Sequence, residues 1–125
     1  MKLINGLSIT LLLVLFIACD SEAASTSVSV QPTVNQSLAK HLTNIGSTMY
    51  GAYWCPYCTE QRNLFGKDFV HINYVECDPK GTNPNPALCK EKNITGYPTW
   101  EINGKMHQGV YSLEQLSSLS GFETY

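Results

Sequence analysis

The pair of cysteines in Cys55-Pro56-Tyr57-Cys58 constrains this chain more than any other feature. The pair follows an apolar, aromatic-rich run at 47–53 that suits a buried strand, and it opens a helix-compatible segment. A cysteine at the first position of a helix faces unpaired backbone N–H groups and the positive end of the helix dipole, which favours its thiolate. Pro56 fits the first turn because its missing N–H would have no partner there. The pattern therefore predicts a strand followed by a helix that begins with a dithiol.

The two cysteines of this motif are predicted to have different tasks. We expect Cys55 to be the nucleophile, with a sulfur open to solvent, and Cys58 to lie one turn deeper on the same helix face. From there Cys58 can attack a mixed disulfide formed at Cys55 and release the partner thiol. The same C-x-x-C spacing also occurs in zinc sites, so the motif alone leaves metal binding open.

A proline 43 residues after Cys55 gives the motif its context. Gly96-Tyr97-Pro98-Thr99 leads into a predicted strand, and a strand, a dithiol helix and a later X-Pro strand together resemble the arrangement of thioredoxins. The resemblance implies a cis Tyr97-Pro98 bond that lies against the dithiol, where the backbone of a substrate docks. A trans proline at the start of an edge strand is the alternative that the sequence leaves open.

Aromatic residues near both motifs are candidates for an apolar collar around the thiols. We expect Trp54, Tyr57 and Tyr97 to be exposed near the site, and Tyr50 and Trp100 to be packed. The predicted substrate-binding residues are Trp54, Pro56, Tyr57, Tyr97 and Pro98.

Two charged residues on the dithiol helix, Glu60 and Arg62, are expected to face solvent. Met49 stands where many thioredoxins bury an aspartate, which leaves Glu76 or water to exchange protons with Cys58.

The remaining patterns predict a compact α/β domain of the thioredoxin fold, with a four-stranded mixed sheet flanked by helices. Asn103-Gly104 is a strong two-residue hairpin signal, and Ser112 with Gln115 forms a capping box before the last helix. The predicted helices are a first helix capped by Ser37 and ending at Gly46, then 55–65, 86–92, and a last helix ending at Gly121; the predicted strands are 47–53, 71–77, 99–102 and 105–110. The spacing between the dithiol and Pro98 leaves no room for an inserted helical domain, which argues against the larger DsbA-type oxidants.

A closer resemblance, covering about 49–122, is to the thioredoxin-like domain fused to vitamin K epoxide reductase homologues of bacteria and plastids. It rests on these segments: Tyr50-Gly51-Ala52-Tyr53-Trp54-Cys55-Pro56 with Cys58, Leu64-Phe65-Gly66, Tyr74-Val75-Glu76-Cys77, Ile94-Thr95-Gly96-Tyr97-Pro98-Thr99-Trp100 and Ile102-Asn103-Gly104. The resemblance implies an oxidant of secreted proteins that hands electrons to a membrane enzyme. The same resemblance implies that Cys55 is the attacking thiol and Cys58 the resolving thiol. It also implies that the substrate docks on Tyr97-Pro98 and that Cys77 and Cys89 form an accessory pair.

Two features depart from that family. Histidine is common where Tyr57 stands, and this sequence carries none of the fused membrane helices. A membrane partner is therefore expected to be a separate protein.

The first 18 residues predict a secretory signal peptide. Lys2 precedes an apolar stretch of about 11 residues, too short for a membrane-spanning helix of about 20. Residues 16–19 resemble a bacterial lipobox and imply a lipidated Cys19, although Phe16 replaces the usual leucine; cleavage after Ala23 is the alternative. Residues 19–35 are expected to be a flexible tether, and 36–125 the folded domain. These features predict an exported protein on the periplasmic side, lipid-anchored to the membrane.

Four cysteines remain in the predicted domain, an even number that suits an oxidising compartment. If Cys55 and Cys58 are the reactive pair, Cys77 and Cys89 pair by elimination. A structural disulfide closing such a loop contributes about 3 kcal/mol. A second redox pair that relays electrons to the first is the alternative.

Composition narrows the possible functions. From Cys19 onward, seven basic and ten acidic side chains give a net charge of −3, without runs of like charge, so neither nucleic-acid binding nor an electrostatic membrane patch is predicted. No cofactor and no metal are predicted.

The sequence therefore predicts an exported thiol–disulfide oxidoreductase that oxidises cysteine-containing exported proteins. It would pass electrons to a membrane oxidoreductase similar to vitamin K epoxide reductase or DsbB. A reductase or isomerase, as in cytochrome c maturation, is the main alternative. A zinc module using all four cysteines and a copper-delivery module are the others.

Overall fold

The computed structural model describes residues 32–123, so the predicted signal peptide at 1–18, Cys19 and most of the predicted tether lie outside the described residues. Four strands form one sheet in the order β2-β1-β3-β4, with β1 and β2 parallel and the other neighbours antiparallel. The strands are β1 (Thr48–Gly51), β2 (Tyr74–Glu76), β3 (Thr99–Ile102) and β4 (Lys105–Gln108). The helices are α1 (Val34–Asn44), α2 (Pro56–Phe65), α3 (Pro86–Glu91) and α4 (Leu113–Ser120), with a 3-10 helix at Gly66–His71. This arrangement confirms the predicted thioredoxin-like fold.

Within the described part of the chain, no helix combines the length and hydrophobicity required to cross a bilayer.

The first helix begins earlier than the sequence predicts. Its N-cap is Thr33, whose hydroxyl accepts a hydrogen bond from the Gln36 N–H at 3.2 Å, so the predicted cap at Ser37 is wrong. The Thr33 hydroxyl also donates to the buried Asp68 carboxylate at 3.1 Å, a contact between residues far apart in sequence. The N-cap and the first two residues of α1 therefore occupy positions 33–35, which the sequence assigned to the tether.

The second strand is shorter than predicted. Residues 66–71 form the 3-10 helix instead of leading directly into the strand, and β2 has three residues. Gly66, with φ 56°, ends α2 at the predicted position. The turn after Gly66 buries Asp68 against α1, which keeps this segment out of the sheet.

The C-terminal half follows its local sequence signals. Asn103 and Gly104 both have positive φ, as the tight turn between β3 and β4 requires. Ser112 and Gln115 form the predicted capping box of α4, and Gly121 ends that helix in the left-handed conformation. Strand β4 ends two residues earlier than predicted because Gly109, with φ 118°, leaves the extended conformation.

A buried glutamine ties α2 to the C-terminal half. The side chain of Gln61 is fully buried, and its Oε1 accepts hydrogen bonds from the Trp100 indole N–H at 3.2 Å and the Tyr111 N–H at 2.8 Å. Its Nε2 donates to the Tyr111 carbonyl at 2.9 Å. Since all these groups are polar and enclosed, the amide fixes the distance between α2 and β3. The core around it contains Leu38, Leu42, Met49, Phe65, Trp100, Ile102 and Leu116.

Candidate active site at the start of α2

The dithiol lies where the polypeptide passes from β1 into α2. Cys55 is the N-cap residue, with extended φ and ψ of −77° and 119°, and its carbonyl accepts the Thr59 N–H at 3.1 Å. Pro56 is the first helical residue, as its sequence position predicts. The predicted helix therefore starts within one residue of the observed one. Both Cys55 and Cys58 carry free thiols.

The Cys55 sulfur is less accessible than the sequence predicts. Cys55 is only 4 % exposed, so the expectation of a sulfur open to solvent is wrong for this state of the protein. Its thiol contacts the Tyr97 carbonyl at 3.6 Å, and it packs in one apolar cluster with Ala52 and Cys58. The β3 side of the site, which is distant in sequence, covers the thiol.

Cys58 lies deeper, as the helical spacing predicts, and is 1 % exposed. Burial raises the pKa of its thiol to about 12, and the neighbouring Cys55 thiol acts in the same direction. A backbone hydrogen bond from Ala52 and the charge of Arg62 oppose this shift in the pKa of Cys58. The Cys58 thiol is therefore protonated at neutral pH and must lose a proton before it can attack a disulfide.

Gly51 allows the close approach of Cys58 to the sheet. A Cβ atom at Gly51 would lie 2.8 Å from the Cys58 sulfur and 2.9 Å from Cε2 of Tyr74, closer than real Cβ atoms come. Only a residue without a side chain fits at the end of β1. The sequence contains this glycine next to the motif, but nothing in the local pattern shows that it faces Cys58 and Tyr74.

The Tyr97-Pro98 segment lies beside the dithiol. The bond between these residues is cis, Pro98 is fully buried, and the Tyr97 carbonyl is the group that contacts the Cys55 thiol. The Tyr97 ring stands edge-on to Trp54, with 6.1 Å between ring centroids. The structure thus brings together two motifs that the sequence separates by 43 residues.

Three exposed aromatic side chains, which we call the aromatic rim, adjoin the two cysteines in the chain: Tyr53, Trp54 and Tyr57. The sequence correctly predicts that Trp54 and Tyr57 are exposed and that Tyr50 and Trp100 are buried. Tyr97, which the sequence predicts to be exposed, is half-buried because it also packs on the core. A groove of about 450 Å³ runs beside the rim, lined by Tyr57, Glu60, Tyr97, Gln108, Gly109 and Val110. Its lining combines the aromatic rings of Tyr57 and Tyr97 with the polar side chains of Glu60 and Gln108, a mixture that suits a polypeptide ligand.

The remaining two cysteines are joined to each other. Cys77 and Cys89 form a disulfide with their Cα atoms 5.8 Å apart, in an apolar cluster with Tyr50 that is separate from the cluster holding the dithiol. Cys77 directly follows β2, and its N–H donates to the Gly51 carbonyl at 2.8 Å. The disulfide therefore anchors the loop that follows β2 next to the end of β1.

That loop contacts the aromatic rim. The Trp54 indole N–H donates to Oδ2 of Asp78 at 2.8 Å. A hydrogen bond from the Lys80 backbone, followed by the one from Trp54, lowers the pKa of the Asp78 carboxyl. Nothing in the sequence around Asp78 predicts this contact.

Arg62 does not face solvent as the sequence predicts. Its guanidinium carbon lies 4.2 Å from the ring centroid of Tyr74 and 4.9 Å from that of Phe69, over the faces of both rings. Such stacking covers the guanidinium with apolar surface. The positive charge of Arg62 acts on Cys58 by lowering the pKa of its thiol. Glu60 is exposed, as predicted.

Over residues 32–123, no three His, Cys, Asp or Glu side chains converge to hold a metal ion. The alternative of a four-cysteine zinc module also lacks its ligand set, because Cys77 and Cys89 are bonded to each other and Cys55 and Cys58 pack in a different cluster.

A curated plant protein is similar to this chain. No protein-family model matches the chain. Over 90 residues the chain is 43 % identical to the thiol-disulfide oxidoreductase LTO1 of Arabidopsis thaliana, a match that covers 69 % of this chain and 24 % of the plant protein. The chain thus spans about a quarter of the length of this curated relative.

Proposed function

We propose that this chain is a thiol–disulfide oxidoreductase whose reacting groups are the Cys55 and Cys58 thiols. The observation that carries the proposal is the pair of free thiols at the start of α2, with the Cys55 sulfur 3.6 Å from the carbonyl that precedes buried Pro98. Similarity to a plant protein named for this activity supports it. Neither a cofactor nor a metal is required by thiol–disulfide exchange.

In the oxidising direction, a substrate thiolate attacks the Cys55 sulfur of a Cys55–Cys58 disulfide. The bond between the two cysteines breaks, and its electron pair leaves on Cys58, which then takes up a proton. A second substrate thiolate attacks the mixed disulfide at the substrate sulfur and releases Cys55 as a thiolate. The substrate gains a disulfide and the protein becomes the dithiol.

The surroundings of Cys55 define how a substrate would approach. The sulfur is nearly enclosed. We propose that a substrate segment lying in the groove beside Tyr57 and Tyr97 presents its thiol to Cys55. The aromatic rim offers exposed apolar surface to residues flanking the substrate cysteine. We therefore propose cysteine-containing polypeptides in extended conformation as substrates.

Oxidation of exported proteins is the favoured direction because of the resemblance to domains fused to vitamin K epoxide reductase homologues. Reduction or isomerisation is the second candidate, and the burial of Cys58 favours it. A strong oxidant requires a stabilised reduced form, as in proteins near −120 mV, whereas burial raises the pKa of Cys58 and so does not stabilise its thiolate.

The reduction potential tests the direction. The purified protein would be equilibrated with glutathione buffers, and its thiols trapped by alkylation; the same trapping in cells reports the resident redox state. A potential near −120 mV with oxidised protein in cells supports the oxidant, whereas one near −270 mV with reduced protein supports the reductase. Inactive wild-type protein, or Cys55→Ser and Cys58→Ser variants that exchange disulfides as fast as wild type, would refute the proposed activity.

We further propose export and a lipid anchor at Cys19, with electrons passing to a separate membrane oxidoreductase similar to vitamin K epoxide reductase or DsbB. The basic start, apolar stretch and Ala18-Cys19 junction of the sequence support this location. A Cys19→Ala variant should move from the membrane to the soluble fraction. A Cys58→Ala variant should accumulate mixed disulfides that identify substrates and partner, and none would form if Cys55 were not the attacking thiol.

A further inference from the structure

A buried carboxylate lies close to the dithiol without a task in the exchange reaction described above. Glu76, the last residue of β2, is 4 % exposed. Its Oε2 accepts a hydrogen bond from the Tyr74 hydroxyl at 2.9 Å, and its Oε1 accepts one from the Asp78 backbone N–H at 2.9 Å. The backbone of Gly81 packs so closely on this side chain that a Cβ there would overlap it. The carboxylate is thus held between a tyrosine and a loop.

Tyr74 connects this carboxylate to the dithiol. The Tyr74 hydroxyl and the Cys58 sulfur lie 3.2 Å and 2.8 Å from the point where a side chain at Gly51 would begin. The two atoms therefore lie at most about 6 Å apart, on either side of the space beside Gly51, a separation that one bridging water spans. The Tyr74 hydroxyl is directed to Glu76, so the order across the site is Cys58, Tyr74, Glu76.

Positive charge lies on the same side of the site. The Arg62 guanidinium, from α2, stacks on the Tyr74 ring at 4.2 Å, and its charge favours the thiolate of Cys58. The ionisable groups around Cys58 are thus Arg62 and Cys55 from the α2 region and Tyr74 and Glu76 from β2. Glu76 is the carboxyl group among them, and it accepts the hydrogen bond of the Tyr74 hydroxyl.

We propose that Tyr74 and Glu76 form a proton relay that serves Cys58 during disulfide exchange. When Cys58 attacks a mixed disulfide, its proton passes through a bridging water to the Tyr74 oxygen while the Tyr74 proton passes to Glu76. The Cys58 electron pair forms the bond to the Cys55 sulfur, and the bond from Cys55 to the partner sulfur breaks, so the partner leaves as a thiolate. In the opposite direction, the departing Cys58 thiolate takes its proton back from the relay.

This relay rests on the proposed function, and it assigns tasks to two residues outside the C-x-x-C motif. Cys58 needs such a path because it is protonated at neutral pH and enclosed by protein. General acid–base groups of this kind contribute about 10² to 10⁴ in rate. Glu76 acts through Tyr74 and is therefore a positioning and proton-accepting residue, not a group that touches the sulfur.

A two-step reaction with 5,5′-dithiobis(2-nitrobenzoate) separates the tasks of the two cysteines. In the reduced protein, Cys55 attacks the reagent and releases one nitrothiobenzoate, and Cys58 then resolves the mixed disulfide and releases a second. Stopped-flow absorbance resolves the two releases. The variants are Tyr74→Phe, which keeps the ring under Arg62, and Glu76→Gln, which keeps the side-chain volume.

Tyr50→Phe is the matched control. Tyr50 is also a tyrosine of the sheet whose hydroxyl donates to a carboxylate, Glu101, at 2.8 Å, but it packs in the cluster of the Cys77–Cys89 disulfide. Removing its hydroxyl reproduces the loss of one such hydrogen bond without touching the relay.

At neutral pH we expect Tyr74→Phe and Glu76→Gln to slow the second release about 10-fold or more, with the first release unchanged. The deficit should shrink as pH rises, because hydroxide then removes the Cys58 proton directly. Tyr50→Phe should leave both releases unchanged. A second release that is unchanged or faster in Tyr74→Phe, or slowed by the same factor at every pH, would overturn the relay.

Failure of the proposed function looks different. If Cys55 is not the attacking thiol, Cys55→Ser keeps the first release at the wild-type rate, whereas failure of the relay leaves a first release that depends on Cys55. If Glu76→Gln does not fold, as circular dichroism would show, Tyr74→Phe alone decides, since it retains the packed ring.

Discussion

The indole N–H of Trp54 donates a 2.8 Å hydrogen bond to Asp78, which links the residue before the reactive Cys55 to the residue after the disulfide-bonded Cys77. Trp54, one residue of the aromatic rim, is therefore held by a loop that the Cys77–Cys89 disulfide anchors. Since both side chains lie on the surface, we expect this hydrogen bond to fix the orientation of Trp54 more than to stabilise the fold.

The protonation state of Asp78 should control the orientation of Trp54. Hydrogen bonds from the Lys80 backbone and Trp54 lower the pKa of Asp78 in the folded protein, so the Trp54 contact is complete above the ordinary aspartate pKa and is lost as pH falls through the lower folded value. NMR of the Trp54 indole N–H should show an acid transition at a pH below the ordinary range of aspartate. Asp78→Asn should abolish that transition. A Trp54 resonance that titrates identically in this variant would contradict the contact.

Loss of the Cys77–Cys89 disulfide should reduce stability while leaving chemistry at Cys55 in place. Replacing both cysteines by alanine removes a crosslink worth about 3 kcal/mol, which should lower the melting temperature by more than about 10 °C. Differential scanning calorimetry measures the stability, and the first nitrothiobenzoate release measures Cys55. If turnover with substrate disappears while the melting temperature stays unchanged, the pair relays electrons instead of supporting the fold.

Gly51→Ala should disturb Cys58 directly. The added methyl group would meet the Cys58 sulfur at 2.8 Å and the Tyr74 ring at 2.9 Å, and overpacking of this kind costs about 1 to 3 kcal/mol. We expect lower stability in urea unfolding and an altered rate of Cys58 attack.

Gly46→Ala provides the comparison for Gly51→Ala. Gly46 has a φ of 77° and open space around it, so alanine there strains the backbone away from the thiols. It should lower stability with the Cys58 rate unchanged. Equal Cys58 rates in the two variants would show that the Gly51 contact does not influence the thiol.

Gln61→Leu should destabilise the protein without changing the thiols. The substitution leaves the Trp100 indole N–H and the Tyr111 backbone groups without their partners, at a cost on the order of 3 kcal/mol. The measurement is the free energy of unfolding in urea. Gln115→Leu, at an exposed capping position, should cost about 1 kcal/mol. Equal losses in the two variants would contradict the role of Gln61.

The sequence by itself determined the elements whose signals are local. The hairpin at Asn103-Gly104, the capping box at Ser112 and the end of α2 at Gly66 all appear where neighbouring residues predict them. Pro56 and the cysteine spacing likewise predicted the start of α2 within one residue. Such features depend on backbone preferences and hydrogen bonds within a few residues, so a short window of sequence contains their cause.

Only the tertiary structure decided how these elements meet. Burial of Cys55 depends on Tyr97, the gap at Gly51 depends on Tyr74, and the position of Arg62 depends on the rings of β2 and the 3-10 helix. The pairing of β1 with both β2 and β3 brings Tyr74 and the Tyr97-Pro98 segment to the end of β1. The strands are distant in sequence, and their register sets which side chains face each other, so no local pattern carries that information.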